Sequence, residues 1–281
     1  MKKLFNKILV PIDFSSGTSV AVDKASEIAM EHDCSILLLH VVVIAPLTTI
    51  AYAENGVSLS QVINNKAEIE FQLEQLCETI NATTRHSVAI EYSIRSGTWD
   101  ENIIHFVQQN QFDLVLIGQK IAITGKRRMK LNPDTIAAQS KIPVITVPAN
   151  RSITKLNSII IPVTDFLPVR KLMYGVYLAS SYSATIRLLG VETSGTQQKV
   201  MHYMMKAYKL IADNSSIKVE FEKTMGSNVA LALKNYTHSK SADLIIVNPG
   251  TQTKLPGILS SLLGNIIQRY SSPPVLTVSL G

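Results

Sequence analysis

The 281-residue chain is written twice. NKILVPIDF at 6–14 aligns with NSIIIPVTD at 157–165, an offset of 151. SILLLHV at 35–41 matches TIRLLGV at 185–191, and IRSGTWDENIIHFV at 94–107 resembles KTMGSNVALALKNY at 223–236, with Gly97 facing Gly226. FDLVLIG at 112–118 matches ADLIIVN at 242–248, and IPVITVP at 142–148 matches PPVLTVS at 273–279. Five segments recur in one order, at a period far too long for a solenoid, so the pattern describes a duplicated domain. PANRSITKLN at 148–157 is polar and proline-initiated and reads as the linker. The expected domains are 1–150 and 151–281.

Within each half, short continuous runs of Val, Ile and Leu read as strands covered on both faces. Amphipathic stretches alternate with them. Residues 15–32 carry Val20, Ala21, Ala25, Ile28 and Ala29 at helical spacing, with Ser15 and Ser16 available as N-caps. Residues 66–80 repeat the pattern with Ile69, Leu73 and Leu76. Five strands alternating with helices imply right-handed βαβ units. The expected fold is α/β, with two tandem doubly wound five-stranded parallel-sheet domains of the nucleotide-binding type.

Apolar residues make up 46% of the chain, enough for a core in each half. The formal charge is +6, and the main basic cluster is Lys126, Arg127, Arg128 and Lys130. Such a loop attracts acidic groups or stands solvated. Trp99 is the single tryptophan and no aromatics interleave with the basic run, so nucleic acid is not an expected partner. Cys34 and Cys77 form neither a disulfide framework nor a metal pattern, which suits a reduced, cytoplasmic setting. Lys7 and Asp13 interrupt the apolar start, so it does not read as a signal peptide, and no stretch approaches a membrane span.

ILVPIDFSS at the start, the His40–Val41 pair closing the second strand, DLVLIG at the fourth strand and PVITVP at the fifth together resemble the universal stress protein family. IIIPVTD, LLGV, DLIIV and PPVLTV repeat the resemblance in the second half, so it covers essentially the whole chain as two tandem copies. The resemblance implies a five-stranded parallel sheet per copy and an intramolecular pseudo-dimer through the fifth strands, here 143–147 and 274–279. It implies a stress-linked regulatory role rather than turnover. Some members bind ATP. Those share an aspartate at the end of the first strand and, after the fourth, Gly, two residues, Gly, nine residues, Gly, then Ser or Thr.

The physics of that glycine-rich stretch is plain. Glycines let backbone approach phosphate oxygens, and the last pair opens a helix whose free N–H groups hold the anion. In the first half Asp13 stands where it would meet a ribose or cap the next helix, and Val41 closes the second strand. Gly118 can stand for the first glycine, but the second would be Ile121, a β-branched residue. Pro274 follows Gly264 by ten residues, and ten before Pro143 is Pro133. Asn132-Pro133-Asp134 is a good helix start with its own acid, which sets a carboxylate where a phosphate would sit. The first-half loop therefore reads as a remnant of a phosphate cradle. In the second half Gly264-Asn265 opens a helix without an acid, Gly250 and Gly257 add freedom, and Lys254 could reach a phosphate. The glycine spacing is off, and the aspartate slips from Thr164 to Asp165. Val191 is the counterpart of Val41.

No histidine pair, paired carboxylates, Gly-x-Ser-x-Gly or P-loop lysine appears, so no catalytic or metal site is expected. His40 reads as a satisfied histidine at the strand rim. The apolar connection 42–60 is a flap packed on its own domain or a docking element. Residues 199–212, with Met201, Met204, Met205 and Tyr208, read as helix core or as a partner face. Three functions remain. The first is a stress-response binding and regulatory protein without turnover, with degenerate nucleotide motifs and an unidentified protein partner. The second is an ATP-binding form using Gly264, Asn265 and Asp165, ATP being the one candidate cofactor. The third is a carrier of a small apolar ligand under the 42–60 flap. A further homodimer is left open.

Overall fold

This computed structural model describes residues 3–42, 59–84, 87–119, 131–148, 156–193, 195–226, 228–251 and 273–280. Three sequence expectations fall wholly or mostly outside them: the basic loop Lys126–Lys130, the body of the 42–60 flap, and most of the 148–157 linker.

The first half runs β1 (Lys7–Pro11), α1 (Ser16–His32), β2 (Ser35–Val42), α2 (Leu59–Thr83), β3 (Ile90–Ser96), α3 (Trp99–Gln109), β4 (Leu114–Gln119), α4 (Pro133–Ser140) and β5 (Val144–Pro148). The second runs β6 (Ser158–Val163), α5 (Val169–Tyr182), β7 (Thr185–Glu192), α6 (Gln197–Ala212), β8 (Val219–Met225), α7 (Val229–Ser239), β9 (Leu244–Val247) and β10 (Val275–Thr277). Ser15 is the N-cap of α1, and Asp33, with a left-handed φ of 53°, ends it. Helix α2 starts at Leu59, earlier than its apolar spacing suggests, so the last two residues assigned to the flap are helical.

All ten strands form one sheet, ordered β3-β2-β1-β4-β5-β10-β9-β6-β7-β8. Within each half every ladder is parallel, as the unbroken apolar runs require. The joint between halves is antiparallel: Val275, Leu276 and Thr277 face Thr146, Ile145 and Val144. The strands of the two halves therefore point in opposite directions, and their carboxyl ends open at opposite ends of the sheet.

One face of the sheet carries a single core across both halves, built from α1, α2, α5 and α6 residues such as Ile28, Leu73, Leu178 and Met204. The other face carries two separate cores, under α3 and α4 in one half and α7 in the other. Met204 is fully buried while Met205 is exposed, so α6 uses its methionines mainly as core. An aromatic seam joins α1 to α5. Phe5 stacks on Tyr174 at 5.9 Å and meets Tyr177 edge-on at 5.3 Å, and His32 stacks on Tyr177 at 4.8 Å. The Tyr177 hydroxyl lies 2.8 Å from His32 Nδ1. Among the described residues no helix is long and apolar enough to cross a membrane.

The duplication extends to backbone detail. Asp113 Oδ2 accepts from the N–H groups of Asn6 (2.9 Å) and Lys7 (3.2 Å), and Asp243 Oδ2 accepts from Asn157 (2.8 Å) and Ser158 (3.0 Å). Each aspartate opens the fourth strand of its half and fastens the entry to the first. Replacing Asp243 by alanine strands two backbone donors and is expected to cost about 1–3 kcal/mol. Asp243→Asn keeps an acceptor oxygen and should recover part of the loss in denaturant midpoints.

Burial removes water from the His32 ring and holds its pKa below the ordinary value. The unfolded chain therefore takes up this proton before the folded one as pH falls. Stability from this site is complete above about pH 6.5 and is lost on acidification. His40 is shifted the same way, so the two must be separated. His32→Phe should flatten the fall in denaturant midpoint between about pH 7 and pH 5, compared with the unmodified chain.

Candidate functional site

In an open α/β sheet, ligands bind beyond the carboxyl ends of strands where the strand order reverses. That point lies between β1 and β4 in the first half, and between β6 and β9 in the second.

In the first crevice Asp13 Oδ1 accepts from the hydroxyls of Ser15 and Thr18, each at 2.6 Å, and from the Ser15 N–H at 3.3 Å. The helix cap is thus Ser15, and Asp13 braces the cap from behind, which corrects the reading of Asp13 as the cap itself. Phe14 follows with a left-handed φ of 55°, an uncommon conformation for a non-glycine residue. His40 donates from Nδ1 to the Ile12 carbonyl at 2.7 Å, and its ring meets Trp99 edge-on at 5.7 Å and Phe14 at 5.3 Å. That is a satisfied rim histidine, and burial holds its pKa down. Val41 is buried beside Trp99 and Ile103.

Gly118 has a local cause. A Cβ built there would lie 1.7 Å from the Gly17 carbonyl oxygen, because the first turn of α1 packs directly on the end of β4. Asn132 caps α4, its side chain accepting from the Thr135 N–H at 3.2 Å, and Pro133 occupies the first turn. The Asn132 N–H donates to Asp100 Oδ1 at 3.2 Å, and burial pushes that carboxyl up. Asp134 is buried in the first turn of α4. The helix start is as the sequence predicts. Ile121 and Gly125 lie outside the described residues.

In the second crevice Thr164 is half-buried and Asp165 exposed at the end of β6, while Val191 is buried. Asn248 stands where the first half has Gly118, and its Nδ2 donates to the Val278 carbonyl at 2.9 Å. The chain then turns through Pro249 and Gly250, whose φ of 82° suits a type II turn. A Cβ on Gly250 would meet nothing within 4 Å. Lys254, Gly257, Gly264 and Asn265 lie outside the described residues.

The sequence reading missed Lys171. It lies in the first turn of α5, is buried, and its Nζ donates to the Pro162 carbonyl at 2.7 Å. Desolvation pushes its pKa down to about 7. A signal was present: Lys171, Tyr174, Gly175 and Leu178 share helical spacing on one face, and the other three are apolar. Among the described residues no group of three or more His, Cys, Asp or Glu could hold a metal.

A family model described as the universal stress protein family matches residues 4–148. The fold is similar to the crystal structure of a universal stress protein from Archaeoglobus fulgidus DSM 4304, with a TM-score of 0.71 at 17% identity, covering 98% of each chain. It is also similar to a protein titled functionally unknown from Pseudomonas aeruginosa PAO1, with a TM-score of 0.57 at 14% identity, covering 98% of this chain and 92% of that one. No curated protein matches the sequence.

The two glycines make different demands. Gly118→Ala drives a side chain into backbone and should cost more than the roughly 1–3 kcal/mol of ordinary over-packing. Gly250→Ala meets open space and should cost only the left-handed penalty of about 1–2 kcal/mol. Soluble yield and thermal midpoints of the two variants check the order.

Proposed function

The chain belongs to the universal stress protein family, and from that premise we propose that it is a stress-response binding and regulatory module without catalytic turnover, whose first-half nucleotide motif is retired. The supporting observation is how the first crevice is filled. Asp13 is engaged by its own helix cap, Gly118 by the approach of Gly17, and the α4 N-terminus by the buried Asp134. A nucleotide there would displace contacts that hold α1 and α4 in place. In this reading the halves are domains meeting near residue 151, the protein is cytoplasmic, and its output is a protein partner.

ATP binding in the second half is the alternative. Asp165 favours it, standing exposed at the strand end where Asp13 is engaged. Gly264, Asn265 and Lys254 would supply the phosphate end, with Val191 and Gly250 nearby in the chain pattern. An apolar ligand under residues 42–60 is the third reading.

Calorimetric titration with ATP and Mg²⁺, beside a Gly264→Asp variant, separates these readings. No heat up to millimolar ATP, weaker than about −4 kcal/mol, is the expected result. Micromolar binding lost in Gly264→Asp would move the site to the second half and overturn the leading reading. Micromolar binding indifferent to that variant would return it to the first-half crevice or the basic loop at 126–130.

A further inference from the structure

We propose that the chain assembles head to tail, the β3 edge of one copy taking the β8 edge of a second copy in an antiparallel joint. The sheet ends at β3 on one side and at β8 on the other. Among the described residues each is paired along one side, β3 with β2 and β8 with β7. Both strands are seven residues long. An unpaired strand edge is a template for another strand. The strands of the two halves run in opposite directions, so a second copy set beside the first in the same sense brings β8 antiparallel to β3. The joint repeats at the outer edges the kind of pairing that joins β5 to β10.

The side chains suit one register. Tyr92 donates to Glu74 on α2, and Phe221 meets Tyr208 on α6, so both point to the face that carries the shared core. Arg95 lies over Phe106 on α3, and Glu222 accepts from Tyr236 on α7, so both point to the other face. With Ile90 opposite Met225 and Ser96 opposite Val219, all seven residues pair. Ile94 then faces Phe221, Arg95 faces Glu220, and no like charges are opposed. Phe221 is 45% exposed and Met225 62% exposed in the single chain, and the joint gives both an apolar partner. A lysine on an edge strand commonly wards off a neighbour, but Lys223 is drawn to Glu192 at 3.2 Å.

Charge selects the second copy as the occupant. Helix α2 carries four glutamates against one lysine, whereas α6 carries three lysines and no acid. A groove of about 510 Å³ opens along the β3 edge, lined by Glu74, Cys77, Glu78, Asn81 and Tyr92 among others. In the joint, α6 of the second copy runs antiparallel to α2 on the same face. It brings the exposed Lys199, Lys206 and Lys209 alongside the glutamates. Two β3 edges would set glutamate against glutamate, and two β8 edges lysine against lysine, so only the unlike pair attracts. Each copy keeps one edge free, so the contact is heterologous and continues past two copies as an open chain or a ring. The assembly is independent of nucleotide binding and holds with or without it.

The test is sedimentation of the full chain from micromolar to near-millimolar concentration, at low and at high salt. The expected result at low salt is a mass that grows with concentration past the dimer. Salt at about 0.5 M should weaken the association at least about tenfold. A Glu74→Lys, Glu78→Lys variant and a Lys206→Glu, Lys209→Glu variant should each remain monomeric, and their equimolar mixture should associate again. Hydrogen exchange at high concentration should slow in β3 and β8 but not in β5 and β10. A chain that stays monomeric at low salt, a mass that stops at the dimer, association indifferent to salt, or exchange unchanged at β3 and β8 overturns the proposal. All four are read on the unmodified chain, even if a variant fails to fold.

Discussion

The antiparallel ladder between β5 and β10 is the interaction on which the rest depends. Every residue of both strands is buried, and each strand covers the edge that the other would leave open. A parallel sheet ending at either strand would present bare N–H and C=O groups and a strip of valine and isoleucine to water. The joint also fixes polarity. Strands that meet head to tail turn the carboxyl ends of the halves to opposite ends of the sheet. Each crevice must then be complete in itself, and groups kept in one half cannot serve the other.

The two copies agree where backbone geometry is at stake. Asp113 and Asp243 fasten the same strand entries. Gly97 and Gly226 donate to Val42 and Glu192, both at 3.1 Å. Asp33 and Ser183 end α1 and α5 with the same left-handed turn, at φ of 53° and 54°. They differ at the strand ends. His40 holds the Ile12 carbonyl, whereas its counterpart Gly190 leaves room for Met204 and Val200, at 2.8 and 3.1 Å from a built Cβ. Lys171 from α5 donates to the Pro162 carbonyl, one residue before the position that matches Ile12. The copies have thus kept their shared framework and rebuilt the place where a ligand would be read.

That division explains what the sequence can reveal. Strands covered on both faces write themselves as unbroken Val/Ile/Leu runs, so strand order and duplication are legible from β1 to β10. Caps are legible too, because Ser15 and Asn132 act within a few residues of themselves. The start of α2 is not. Ser60, Gln61, Asn64 and Asn65 carry little apolar periodicity, and Leu59 begins a helix that no local spacing announces. Nor is the cause of Gly118 legible. A glycine needed for phosphate and one needed for a helix carbonyl are the same letter. Only the 1.7 Å approach of Gly17, about a hundred residues earlier, tells them apart. Lys171 marks the limit. Its place on an apolar helix face is written in the sequence, but a lysine there commonly reaches out to water with its stem buried. That it turns instead to the Pro162 carbonyl follows from the parting of β6 and β9, a fact of strand register that no helix pattern contains.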